Sequence, residues 1–255
     1  MIDLHQRLSE FSYGFGVTRE TQALLESIGL KATPFLPSLL HEEELGFDVG
    51  FGDPGAIVVL QFKLGQQLSR FRRTYPRQPI PPIDRPFWRY SVDTSEHQFL
   101  RMREFEASGV QAYYVAPRFS DWIAYDLAFH NEEVLDRSLL LTPSEIERAA
   151  GAAGQHRVVY DRFDRYVCSE PRRVQEVSPD MLAERVGSAA RDKNVTLEAR
   201  LERLIEGAEA TPTGVFGQRW ERIRTRARSP ADAMATIVGF EAWLQGAQLL
   251  FAQPA

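Results

Sequence analysis

Asp48, Gln61 and Lys63 supply a carboxylate, an amide oxygen and an amine, groups that together can hold a metal and activate a water. They lie in Glu44-Leu-Gly-Phe-Asp-Val-Gly-Phe-Gly-Asp-Pro-Gly-Ala-Ile-Val-Val-Leu-Gln-Phe-Lys63, with the acid on one expected strand and Gln-Phe-Lys ending a second. Side chains alternate along a strand with period two, so Gln61 and Lys63 share a face. Gly52-Asp53-Pro54-Gly55 reads as a hairpin-like break, in which Asp53 is most simply a turn residue. Pairing of the two strands through that break would bring Asp48 beside Gln61 and Lys63. Glu44 has the same strand parity as Asp48 and would face the same point.

The elements that must position these groups follow from periodicity. Apolar Ala23, Leu24, Leu25 and Ile28 before Gly29 predict a helix over Thr18–Ser27, with Thr18 as N-cap. Residues 31–43, with Pro34 and Pro37, read as irregular or as a broken edge strand. Strands are expected near 45–51 and 56–63. A helix from Thr94 to Gly109 and a strand over Val110–Pro117 complete a strand–helix–strand pattern, the mark of an α/β core. Residues 119–150 read as helix with breaks, and 156–168 as a β-hairpin or two short strands. From Ser178 onward the pattern is almost all helix, with Trp220, Ile223, Ile237, Phe240, Trp243, Leu244, Leu249 and Leu250 as packing faces. The expected organisation is therefore an α/β core over 1–175 and an α-helical extension over 176–255.

Composition bounds the function. Over 255 residues the hydrophobic and charged fractions are 44% and 25%, those of an ordinary globular protein. A net charge of −5 excludes a uniformly basic coat. It leaves room for a local strip that contacts phosphates. Cys168 is the single cysteine, so neither an intrachain disulfide nor a thiolate zinc site can form, and a cytoplasmic setting fits. No apolar run approaches membrane-spanning length, and the first residues lack a signal-like apolar segment. The histidines show no metal-ligand spacing, and Gly14-Phe-Gly16 lacks the context of a phosphate loop.

One stretch departs from the acidic average. Lys63, Arg70, Arg72, Arg73, Arg77, Arg85 and Arg89 face a single acid, Asp84, with Phe71, Tyr75, Phe87, Trp88 and Tyr90 interleaved. With five prolines it reads as a long surface arm. Arginines and aromatics together suit backbone contacts and base or sugar stacking. A solvated arm that packs on an acidic neighbour is the other reading of the same residues. Arg219, Arg222, Arg224, Arg226 and Arg228 form a second cluster, spread around a helix as on a solvated face.

The order of a helix glutamate (Glu20), Gly-Phe-Asp48, Val-Val-Leu-Gln61-Phe-Lys63, then helix and strand, resembles the PD-(D/E)xK nuclease superfamily. It is most similar to the Gln-x-Lys branch of Mrr-type enzymes. The resemblance spans roughly residues 15 to 120. It implies a restriction-endonuclease-like core, a mixed central sheet flanked by helices, carrying a helical C-terminal extension. It also implies Mg²⁺, or Mn²⁺ in its place, on Asp48, Gln61, Glu20 and Glu44, because hard cations prefer oxygen. Gln61 would stand where a second carboxylate is usual. Lys63, near a cation, would orient or deprotonate the attacking water. The implied function is metal-dependent endonuclease hydrolysis of nucleic acid, DNA first, in a bacterial defence or restriction system. The C-terminal helices would assemble a homodimer or a larger complex. The residues leave two other readings open. One is a catalytically inactive nuclease-fold subunit that binds nucleic acid or serves as a scaffold. The other is an interaction protein in which Asp48 and Lys63 form a salt bridge.

Overall fold

The computed structural model describes residues 8–35, 50–209, 223, 225, 227 and 229–255. It is an α/β protein containing two five-stranded sheets. The first, a mixed sheet, has strand order β1-β10-β2-β5-β6, formed by β1 (Leu30–Phe35), β10 (Ala247–Pro254), β2 (Ala56–Phe62), β5 (Gln111–Pro117) and β6 (Ser138–Leu141). The second is an antiparallel meander of order β3-β4-β7-β8-β9, from β3 (Gln66–Leu68), β4 (Phe87–Asp93), β7 (Gln155–Tyr160), β8 (Arg165–Cys168) and β9 (Pro171–Arg173). Seven helices accompany them among the described residues: α1 (Glu10–Ser27), α2 (His97–Ala107), α3 (Trp122–His130), α4 (Pro143–Ala150), α5 (Pro179–Ala190), α6 (Leu197–Glu209) and α7 (Pro230–Leu244). None is long and apolar enough to cross a membrane.

β2 is buried at all seven positions, which is why its apolar run is continuous rather than alternating. Pro34, which lacks an N–H, is tolerated because β1 is an edge strand, paired among the described residues only with β10, antiparallel. α4 carries its own start and stop signals. Thr142 caps it through Glu145 N–H, Pro143 opens it, and Gly151 ends it at φ 71°.

Several expected elements come out differently. α1 begins at Glu10, eight residues before the expected Thr18; Ser9 is the cap, its hydroxyl accepting from Ser12 N–H at 3.0 Å. Thr18 is an internal, buried position. Gly14 and Gly16 look like helix breakers in sequence, but each is a point of close packing. A Cβ at Gly14 would stand 2.6 Å from the Phe62 ring, and one at Gly16 3.0 Å from the Tyr125 hydroxyl. Between 119 and 150 the strand β6 separates α3 from α4. The C-terminal segment is not wholly helical either. Gly246 adopts φ 70° after α7, and Leu249 and Leu250 belong to β10. The expected strand over 45–51 falls mainly on residues outside those described, as do the cluster Arg219–Arg228 and most of the segment leading to it.

Two compact units interleave along the chain. One comprises residues up to Thr21, Gln61–Arg103 and Ala112–Leu182; the other comprises Gln22–Leu60, Glu104–Gln111 and Ala183–Ala255. The first carries the second sheet, Lys63 and the basic arm. In the second, a turn lies two residues earlier than the expected 52–55, over residues 50–53: Asp53 N–H donates to Gly50 carbonyl at 3.0 Å. The first turn of α6 donates to that turn, from Leu197 N–H to Asp53 carbonyl and from Glu198 N–H to Phe51 carbonyl.

Candidate functional site

Lys63 follows β2 directly, and its N–H donates to Val115 carbonyl of β5 at 2.9 Å, so the backbone there stays extended. Gln61 and Lys63 keep one parity, but the chain buries them unequally. Gln61 is 2% exposed, whereas Lys63 is half-buried. The Lys63 ammonium donates to Gln98 Oε1 at 2.8 Å and stands 5.9 Å from the centroid of the Tyr114 ring. Burial pushes its pKa below that of an ordinary lysine, while the charges of Glu10 and Glu96 pull the other way. An amine in that setting loses its proton more readily than a solvated one.

α1 and α2 bring these neighbours. Glu10 lies in the first turn of α1, and Gln98 in the first turn of α2, just after Glu96. Tyr114 is buried and stacks on Phe99 at 5.9 Å. Burial raises its phenol far above the usual range, and the Glu96 charge adds to the effect, so it remains neutral. The result is an amine that is partly desolvated, hydrogen-bonded to an amide, near a neutral phenol and under the charge of two carboxylates. Such a group can take a proton or present a positive charge to an anion.

Glu20, the helix glutamate expected at the site, is used elsewhere. Its two carboxylate oxygens accept from Val134 N–H at 3.0 Å and Leu135 N–H at 2.7 Å, tying down the turn that follows α3. Burial raises its pKa and these two hydrogen bonds oppose the rise. Glu10 is ten residues earlier on the same helix, about 15 Å away along the axis. The α1 carboxylate that acts on Lys63 is therefore Glu10, not Glu20. Glu44 and Asp48 lie outside the described residues. Among the described residues no group of three or more His, Cys, Asp or Glu side chains could hold a metal ion. Glu20 is thus committed to backbone amides, and Gln61 is buried in β2.

The basic arm is an ordered structure rather than a loose loop. Its first and last residues pair as β3 and β4, and Leu68, Phe71 and Ile83 pack on Phe87, Val159, Tyr166 and Cys168. Gln78, 1% exposed, fastens the middle of the arm. Its Oε1 accepts from Thr74 N–H at 2.6 Å, and its N–H donates to the Cys168 and Ser169 carbonyls at 3.5 Å. Arg157 of β7 fastens it from the sheet, donating to Arg72 carbonyl at 3.0 Å, to Gln78 Oε1 at 3.2 Å and to the Thr74 hydroxyl. Arg70, Arg72, Arg73, Arg77 and Arg85 are exposed on this scaffold and Arg89 is half-exposed. Arg77 adopts φ 72°, a left-handed turn that lets buried Gln78 point inward next to it.

Glu10, Glu96, Gln98, Tyr114 and Arg157 are the neighbours that the sequence did not single out. Glu96 and Gln98 had a usable signal, since they stand at the start of a helix that follows the Gln-x-Lys strand. Glu10 and Arg157 had none, being one glutamate and one arginine among many. Comparisons with protein-family models, curated proteins and solved structures give no match to this chain.

Proposed function

We propose that the chain is a phosphodiester hydrolase acting on nucleic acid, in the manner of a metal-dependent endonuclease, with Lys63 at its centre. The observation that carries the reading is the Lys63 amine itself, half-buried at the end of β2 and hydrogen-bonded to Gln98. In its neutral form the amine accepts a proton from an attacking water. The water oxygen bonds to phosphorus, the P–O ester bond breaks, and the leaving oxygen is protonated by solvent. Gln98 holds the amine in one orientation, and Tyr114 keeps one side of it dry. The exposed arginines of the arm (Arg70, Arg72, Arg73, Arg77, Arg85 and Arg89) hold the polyanionic substrate. A divalent cation, Mg²⁺ or Mn²⁺, would be held by Asp48 and Glu44 and would stabilise charge developing on the phosphate.

Plasmid nicking with Mg²⁺, with Mn²⁺ and with EDTA tests the reading. Cleavage that requires the cation is expected. Tight plasmid binding with no nicking under any metal would favour the second reading, an inactive nuclease-fold protein that binds nucleic acid. The exposed arginine arm is the observation behind that alternative.

A pH profile separates a base from a mere positive charge. If neutral Lys63 is the active form, the rate rises with pH through its lowered pKa. Glu96 raises that pKa. Glu96→Gln is therefore expected to move the rising limb to lower pH, and a limb that stays in place would remove Lys63 from the role of base.

A further inference from the structure

The arm and the sheet beneath it are rich in arginine. Residues 66–93 and 155–173 together hold eleven arginines and five acids, in a chain whose net charge is −5. Some of these arginines are paired: Arg165 with Glu176, Arg172 with Glu170 and Arg173 with Asp164. Arg72, Arg89 and Arg157 form no ion pair among the described residues.

Their placement follows from strand register. Arg89 faces Val159 across β4 and β7, and Arg157 faces Ser91, so Arg89 and Arg157 are diagonal neighbours on one face of the second sheet. The Arg157 guanidinium reaches out to the Arg72 carbonyl, which brings the arm to the same place. Arg89 is aimed by a neutral partner, donating to Gln66 Oε1 at 2.7 Å. Burial and the charges of Arg157 and Arg72 all act to lower the Arg89 pKa, as expected where guanidiniums crowd together. Like charges held together at a half-buried spot are costly unless an anion sits among them. Guanidinium forks match the oxygens of phosphate in geometry as well as charge.

We propose that Arg72, Arg89 and Arg157 form a preorganised site for phosphates of a nucleic-acid backbone, with Arg157 both contacting the phosphate and holding the arm in place. This deepens the nucleic-acid side of the function proposed above but does not depend on hydrolysis. A nucleic acid is favoured over a single small phosphate because further exposed arginines, Arg70, Arg77 and Arg85, which form no ion pair among the described residues, continue along the arm.

The test is binding of a fluorescein-labelled 20-base-pair DNA duplex to the full chain in EDTA, titrated over NaCl concentration. Each phosphate contact contributes roughly 0.9 to the slope of log affinity against log salt. The double substitution Arg72→Gln, Arg89→Gln leaves the arm's fastening through Arg157 and Gln78 intact. It is expected to lower the slope by about 2 and to weaken binding at least tenfold at 0.1 M salt. Arg162→Gln, an exposed arginine on the β7–β8 turn, serves as control and should leave the slope unchanged. An unaltered slope in the double variant would overturn the proposal. So would a duplex that fails to bind while inorganic phosphate raises the melting temperature of the unaltered chain alone, since the site would then take a small anion. Lys63→Ala binding the duplex normally without nicking it supports this site whatever becomes of catalysis. Nicking by Lys63→Ala would damage the hydrolase reading and leave the binding result standing.

Discussion

Lys63→Ala is expected to lower cation-dependent nicking by about 10²–10⁴-fold, the span typical of removing a positioned proton acceptor. The fold should survive, because Lys63 is half-exposed and follows the end of β2 rather than filling its core. Its main-chain N–H bond to Val115 carbonyl is untouched by the substitution. Lys63→Arg sharpens the result. It keeps a positive charge but gives up the neutral form, because guanidinium does not deprotonate in proteins. Loss of activity in both variants assigns proton transfer to Lys63, whereas retention in Lys63→Arg assigns charge stabilisation. Undiminished nicking by purified Lys63→Ala would end the assignment altogether. Circular dichroism and a melting curve on the same samples separate loss of chemistry from loss of fold.

Arg200→Met is expected to destabilise the protein by about 3 kcal/mol without any contribution from the site chemistry. Arg200, 6% exposed on α6, donates to three backbone carbonyls: Gly55 at 2.7 Å, Ala189 at 2.9 Å and Gly109 at 3.4 Å. Gly55 directly precedes β2, Gly109 stands two residues before β5, and Ala189 is at the end of α5. One guanidinium fork thus anchors the approaches to two core strands and the end of a helix. Met keeps an apolar stem like that of Arg but ends short of the guanidinium, and all three carbonyls lose this donor. At this chain length the loss corresponds to a fall in melting temperature of roughly 6–12 °C. Arg200→Lys should recover only part of it, since an ammonium lacks the planar fork. A melting temperature within one degree of the unaltered protein would show that water replaces the guanidinium at no cost.

What could be read in advance depended on the range of the interaction. The run Ala56–Phe62 has no charge, is rich in β-branched residues and is followed at once by Lys63, so its strand character is local and legible. The same holds for the helix after it and for β5. Thr18 misled because local capping preference favoured it, whereas packing of Gly14 on Phe62 and Gly16 on Tyr125 let the helix run on from Ser9. Leu249 and Leu250 misled for a related reason. A short apolar run fits helix and strand alike, and only its pairing with β1 decides between them.

The candidate site divides the same way. Sequence alone determined that an amine ends a buried strand, that a buried amide shares its parity, and that a basic aromatic segment follows. These are properties of period and composition. The tertiary structure decided that Glu10 rather than Glu20 acts on Lys63, that Gln98 fixes the amine, and that Arg157 joins the arm's arginines. Each of those pairings joins residues 35 to 85 positions apart along the chain. Periodicity fixes which face a side chain takes, but only the packing of separate elements fixes what that face meets.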